Sequence, residues 1–229
     1  MNLRDSPVRS AHRWMVRHSF YPLALSSLLA CSLWAGRVWK SQSWGGMGLV
    51  WNLFLAWLPY LCSLGVLVLH EQHPRRWWRL VIPGAVWLLF LPNAPYIITD
   101  LWHLRARPPI PLWYDLGFYV TFAWTGCFLG LTSLRMIQGV IKSYLGRSAG
   151  WVFVMGSLCL TGIGIYLGRF LGWNSWDLIL NPRPVLVDIA ALVLHPYRNL
   201  HMLLFAGLFA AILFVCYLTF ASVQQLEHS

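Results

Sequence analysis

A chain that repeatedly presents about twenty consecutive apolar residues has one natural solvent, the hydrocarbon core of a bilayer. This chain does so from Phe20 to Gly36, Met47 to His70, Trp78 to the prolines at 92 and 95, Leu112 to Leu134, Gly150 to Gly172 and Met202 to Val223. Inside hydrocarbon every backbone polar group must pair within the protein, so runs of this length are helices. The expected architecture is therefore all-α: a polytopic membrane bundle of about six transmembrane helices. Only 10% of the residues are charged, against roughly 25% in soluble domains, which excludes a soluble globular fold. Many of the fifteen Trp, including Trp39, Trp44, Trp77, Trp78, Trp102 and Trp113, flank the apolar runs, where interfacial aromatic belts form. No linker or internal repeat divides the chain. We read one domain over 20–223, preceded by a basic segment at 1–19 and followed by a tail at 224–229 that carries no weight.

The formal net charge is +10, yet nucleic acid is not the implied partner. The basic residues lie in short clusters between apolar runs, where they act as topology signals and contacts to anionic lipid. With six spans both termini share a side. That side holds Arg4, Arg9, Arg13, Arg17, Arg75, Arg76, Arg79, Arg135, Lys142 and Arg147; the other holds Arg37, Lys40, Arg105, Arg107, Arg183 and Arg198. The excess places the termini in the cytoplasm. Leu28-Leu29-Ala30-Cys31 resembles a lipoprotein cleavage box, but apolar sequence continues past it, so the first run is expected to stay as a span. All five cysteines fall within apolar runs, without disulfide or zinc spacing, and are expected to be buried packing residues.

The third run ends unusually, in Phe90-Leu91-Pro92-Asn93-Ala94-Pro95-Tyr96-Ile97-Ile98-Thr99-Asp100-Leu101-Trp102-His103. Each proline lacks an amide donor and disfavours helix in the residue before it. A broken helix at membrane depth survives only where it packs in protein or lines a wet cavity. If the chain is helical again after Pro95, Tyr96, Asp100 and His103 share a face. The six-span topology brings further polar residues to the same outer end: Asp115 at the start of the fourth run, and Arg169, Asn174 and Asp177 at the close of the fifth. A guanidinium within a span costs at least ~2.5 kcal/mol unless it is paired or snorkels.

Two chemistries fit this cluster, beside a purely structural ion pair that sets helix register. Asp100, His103 and Asp177, with Asp115 and Asn174 near them, form a plausible divalent-metal site; the three would be ligands or acid–base groups in hydrolysis. Alternatively Arg169 holds an anionic group such as a lipid phosphate, with Asn93, Tyr96 and Thr99 on the broken helix. Gly126, Gly130, Gly164, Gly168 and Gly172 are spaced for close helix packing, of the fourth and fifth spans on each other or on the third. The segment from Pro184 to Pro196 is too short to cross and reads as an interfacial or re-entrant helix. His195 and His201 flank the last span near Arg198. His70, Glu71 and His73 read as loop residues on the opposite face.

At these residues the chain resembles a known family. Phe90 to Leu101, Gly164-Ile165-Tyr166-Leu167-Gly168-Arg169-Phe170 and Asn174-Ser175-Trp176-Asp177 are similar to the bacterial membrane-protein family called domain of unknown function 1361. The resemblance covers roughly the second through the last span. It implies a multi-helix protein of the bacterial inner membrane and brings no activity with it. Its motifs coincide with the polar cluster, which implies a shared site. Three functions are expected to compete: a metal-assisted hydrolase or transferase on a lipid-linked or anionic substrate; a small transporter or ion-coupled carrier; and an assembly partner without chemistry.

Overall fold

The computed structural model describes residues 7–226 apart from 106, 195, 196 and 198. Arg4, His195, Arg198 and the end of the tail, which entered the readings above, lie outside the described residues. The elements run α1 (Pro7–Arg17), α2 (Phe20–Ser41), α3 (Met47–Gln72), a 3-10 turn, α4 (Val81–Phe90), α5 (Asn93–Tyr96), a second 3-10 helix (Ile97–His103), α6 (Leu112–Phe170), α7 (Asp177–Leu180), α8 (Pro182–Leu194) and α9 (Leu200–Leu226). The described residues form no sheet, only an isolated bridge between Arg107 and Ile110. Four helical segments, Met47–Gln72, Trp77–His103, Leu112–Phe170 and Leu200–Ser222, are long and apolar enough to cross a membrane.

Two of the expected boundaries move. The chain between Leu134 and Gly150, left outside the expected spans, is helical except at Gly146, where φ is +85° and ψ 175°. That left-handed φ is accessible to glycine without a Cβ penalty, and here it reverses the helix. The Gln138 side-chain amide reports the reversal: its Nε2 donates to the Gly150 carbonyl at 3.4 Å, and its Oε1 accepts from the Tyr217 hydroxyl of α9 at 2.6 Å. On a straight helix residues twelve apart would lie about 18 Å from each other. α6 is thus a hairpin of two limbs, 112–145 and 147–170. At the other boundary, α2 continues through Arg37 to Ser41 and draws that arginine out of the expected loop into the bundle.

The core forms where these helices converge. Leu53, Ala56 and Tyr60 of α3 pack with Ala30 of α2 and Phe118 and Phe122 of α6. A second cluster joins Trp87 of α4, both limbs of α6, and Leu213 and Tyr217 of α9. A third holds α8 against the end of α6 and the start of α9 through Leu192, Leu167 and Met202. His70 is no loop residue: in the last turn of α3 its Nδ1 meets the Tyr144 hydroxyl at 2.9 Å, tying α3 to the hairpin bend. The cysteines are free, and only Cys127 is buried; Cys159 is exposed and the other three are half-buried. An apolar residue on a membrane helix can face lipid as readily as protein, which is why hydropathy overstated their burial. Trp39, Trp44, Trp77, Trp78, Trp102 and Trp113 are all exposed, in keeping with belts at the helix ends.

The proline break sits at the centre of the packing. Pro92 stays in the right-handed helical region (φ −59°, ψ −28°), so the chain continues roughly along its axis while its hydrogen bonds change register. Ala94 N–H turns to the Leu91 carbonyl at 3.2 Å, three residues back. The Phe90 carbonyl is taken instead by the Asn93 side chain, at 3.1 Å. Both limbs of α6 close on this segment over glycine. A Cβ on Gly126 would overlap the Ala94 carbonyl oxygen, and one on Gly164 would lie 2.6 Å from the Pro92 ring. The expected small-residue packing is therefore made by both limbs against the third span. Gly172 takes no part: its φ of +74° ends α6 and lets Trp173 N–H return to the Leu167 carbonyl at 3.2 Å. Gly164→Val is expected to cost about 1–3 kcal/mol through overpacking, while Gly156→Val, where nothing stands within 4 Å of a new Cβ, should leave thermal unfolding of the detergent-solubilised protein nearly unchanged.

Candidate functional site

The second 3-10 helix brings two predicted residues to one side. With three residues per turn, Asp100 and His103 eclipse each other, whereas Tyr96 falls on another face and packs its ring 3.1 Å from where a Cβ of Gly168 would stand. Arg169, the next residue of α6, bridges the pair. Its Nη1 donates to Asp100 Oδ1 at 3.3 Å and its Nη2 to His103 Nε2 at 2.7 Å. Arginine has no acceptor, so His103 accepts through a bare Nε2 and carries its proton on Nδ1. Asp100 Oδ2 takes a further bond from Asn52 Nδ2 of α3, at 3.0 Å. The side chains of Arg169 and Asp100 are only 13% and 12% exposed. This is a chain Asn52–Asp100–Arg169–His103, with His103 at the exposed end.

The other predicted residues are placed differently. Asp115 does not approach Arg169. It pairs with Arg37 of α2, Nε to Oδ1 at 2.8 Å and Nη2 to Oδ2 at 3.4 Å, with side chains 7% and 2% exposed. The Gly45 carbonyl takes Arg37 Nη1 at 3.2 Å. Asp177 accepts from the Asn174 backbone at 2.7 Å and its side-chain amide at 3.3 Å, capping the loop after α6. Thr99 folds back on the Tyr96 carbonyl at 2.7 Å. Among the described residues no three His, Cys, Asp or Glu side chains are gathered so as to hold a metal ion. The expected set of Asp100, His103 and Asp177 is not assembled, because the Arg169 guanidinium stands between the first two and Asp177 is turned to its own loop.

Next to this chain lies a cavity of about 540 Å³, within the usual ligand-pocket range of ~300–1,000 Å³. Its walls come from α3, α4, the second limb of α6 and α8. Leu55, Leu88, Leu89, Leu160, Ile163, Val185 and Ile189 make the apolar part. Asn52, Asn93, Tyr96, Asn174 and Ser175 make a polar end, where Asn93 Nδ2 also donates to Ser175 Oγ at 2.8 Å, joining the helix break to the loop after α6. Trp173 holds α8 over the cavity through a 2.8 Å bond to Asp188 Oδ2. Sequence reading found Asn93, Tyr96 and Asn174. It missed Asn52, a lone amide in an apolar run, and Ser175 and Asp188. The intramembrane asparagine was a usable signal, since polar residues within spans are rare and placed for a reason.

These features define a class: an all-helical, multi-pass membrane protein with a polar-ended pocket beside a proline-broken helix. The chain belongs to the family described as Protein of unknown function (DUF1361), whose model matches residues 51–216. The match runs from α3 into α9 and contains the break, the hairpin, Arg169 and the loop that follows. No curated protein and no solved structure matches the chain.

Proposed function

We propose that this protein binds an amphipathic, lipid-type ligand in the pocket between α4 and the second limb of α6. The observation that carries the reading is the cavity's two-ended lining: a leucine- and isoleucine-rich interior running along the spans, and an amide and hydroxyl end at the helix break. Such a lining matches a molecule with a hydrocarbon tail and a polar head. The Asn52–Asp100–Arg169–His103 chain serves as a brace that holds Asn52 on the pocket wall. In this reading the protein crosses a bacterial inner membrane six times, with α2 and the two limbs of α6 each counted as a crossing. Both termini are then cytoplasmic, and the pocket's polar end is extracytoplasmic.

The test is native mass spectrometry of the detergent-extracted protein. The parent is expected to retain a lipid-sized adduct. Ile163→Trp, which pushes an indole into the cavity, should reduce retention at least tenfold while the helical circular dichroism stays unchanged. Equal retention by both proteins would sink the pocket reading.

A further inference from the structure

The pocket reading leaves the chemistry of the ligand's head undecided; the following rests on that reading and addresses the head alone. Three asparagines line the cavity: Asn52 on α3, Asn93 at the break and Asn174 in the loop after α6. The NH2 group of each donates to at least one acceptor. Asn52 Nδ2 donates to the Asp100 carboxylate at 3.0 Å, Asn93 Nδ2 to the Phe90 carbonyl at 3.1 Å, and Asn174 Nδ2 to the Asp177 carboxylate at 3.3 Å. Carboxylates and backbone carbonyls accept and do not donate, so these partners fix which end of each amide is nitrogen. Each asparagine has its carbonyl oxygen to spare, Asn52 and Asn174 keep one further N–H each, and among the described residues none of the three oxygens takes a hydrogen bond. Among the described residues no Lys or Arg lines the cavity. Arg169, beside lining residue Gly168, directs Nη1 and Nη2 to Asp100 and His103.

We infer that the pocket selects an amphiphile whose head is uncharged and rich in hydrogen-bond donors, a polyol or sugar headgroup on hydrocarbon tails. Hydroxyls donate to carbonyl oxygens. A phosphate would set its lone pairs against these three carbonyl oxygens and leave water with no lysine or arginine among the described lining residues to meet its charge. The geometry thereby turns away from the anion site that the sequence pattern around Arg169 invited.

The experiment uses the full chain in a detergent without a sugar head. It is titrated in separate native mass spectrometry runs with monoglucosyl dioctanoylglycerol and with dioctanoyl phosphatidylglycerol, which share their tails. The glucosyl lipid is expected to be retained at least tenfold more. Asn174→Leu should remove most of that preference: Asn174 is exposed, and its backbone N–H still holds Asp177 at 2.7 Å. Equal or stronger retention of phosphatidylglycerol, displaced in Ile163→Trp, would overturn the donor-rich head and leave the pocket standing. A glucosyl preference that survives Asn174→Leu, Asn93→Leu and Asn52→Leu alike would also overturn it. Retention of neither lipid would overturn both the inference and the pocket.

Discussion

Asp115→Ala is expected to lower stability by about 3–5 kcal/mol, the usual cost of stranding one partner of a buried ion pair. Arg37 is 6% exposed and would keep the Gly45 carbonyl at 3.2 Å and the face of the Phe118 ring at 5.9 Å, neither of which neutralises its charge. The pair joins α2 to the start of α6, so its loss should loosen the contact of α2 with the bundle. The double variant Arg37→Met/Asp115→Leu removes both charges and fills similar volume. It should recover most of the loss, because an apolar replacement of a whole buried pair is often neutral or better. Thermal unfolding in detergent, followed by circular dichroism, reads all three proteins. A single variant that melts with the parent would show that water reaches Arg37 and that the pair does not hold α2.

The second large effect is at Asp100. Asp100→Ala leaves Arg169 with His103 and releases Asn52 from its carboxylate. The destabilisation should be smaller than at Asp115, about 1.5–3 kcal/mol for charge-assisted hydrogen bonds, since these side chains are 13% and 12% exposed and Arg169 keeps a partner. The separating readout is ligand retention. Asp100→Ala should weaken it severalfold because Asn52 lines the pocket, whereas Asp115→Ala, measured well below its melting temperature, should leave it near the parent's. Parallel losses at both positions would mean that retention follows global stability and that Asp100 has no particular tie to the pocket.

Much of the bundle was legible in the sequence because hydrocarbon imposes a strict rule. Runs of apolar residues have to be helices of a certain length, and Pro92 and Pro95 have to disturb the one that contains them. Arg169 was legible as a residue that must find a partner, and Asp100 as one of the carboxylates gathered at the same outer end. The reversal at Gly146 was harder to see. Helical propensity runs through Arg135 to Leu145, and one left-handed glycine, not a polar loop, makes the turn. The partner choice was hidden as well: two arginines and several carboxylates gather toward one end of the bundle, and spacing along the chain does not say which meet.

What the sequence determined by itself was the solvent, the all-helical class, the broken third span and the polar residues that needed company. Tertiary structure decided which company they keep. Asp115 goes to Arg37 because α2 extends past its predicted end, and Asp100 goes to Arg169 because glycines let both limbs of α6 close on the break. The pocket, too, is a property of packing. Its lining is drawn from α3, α4, α6 and α8, and side chains that distant in sequence acquire a common surface only when the helices carrying them are set beside one another.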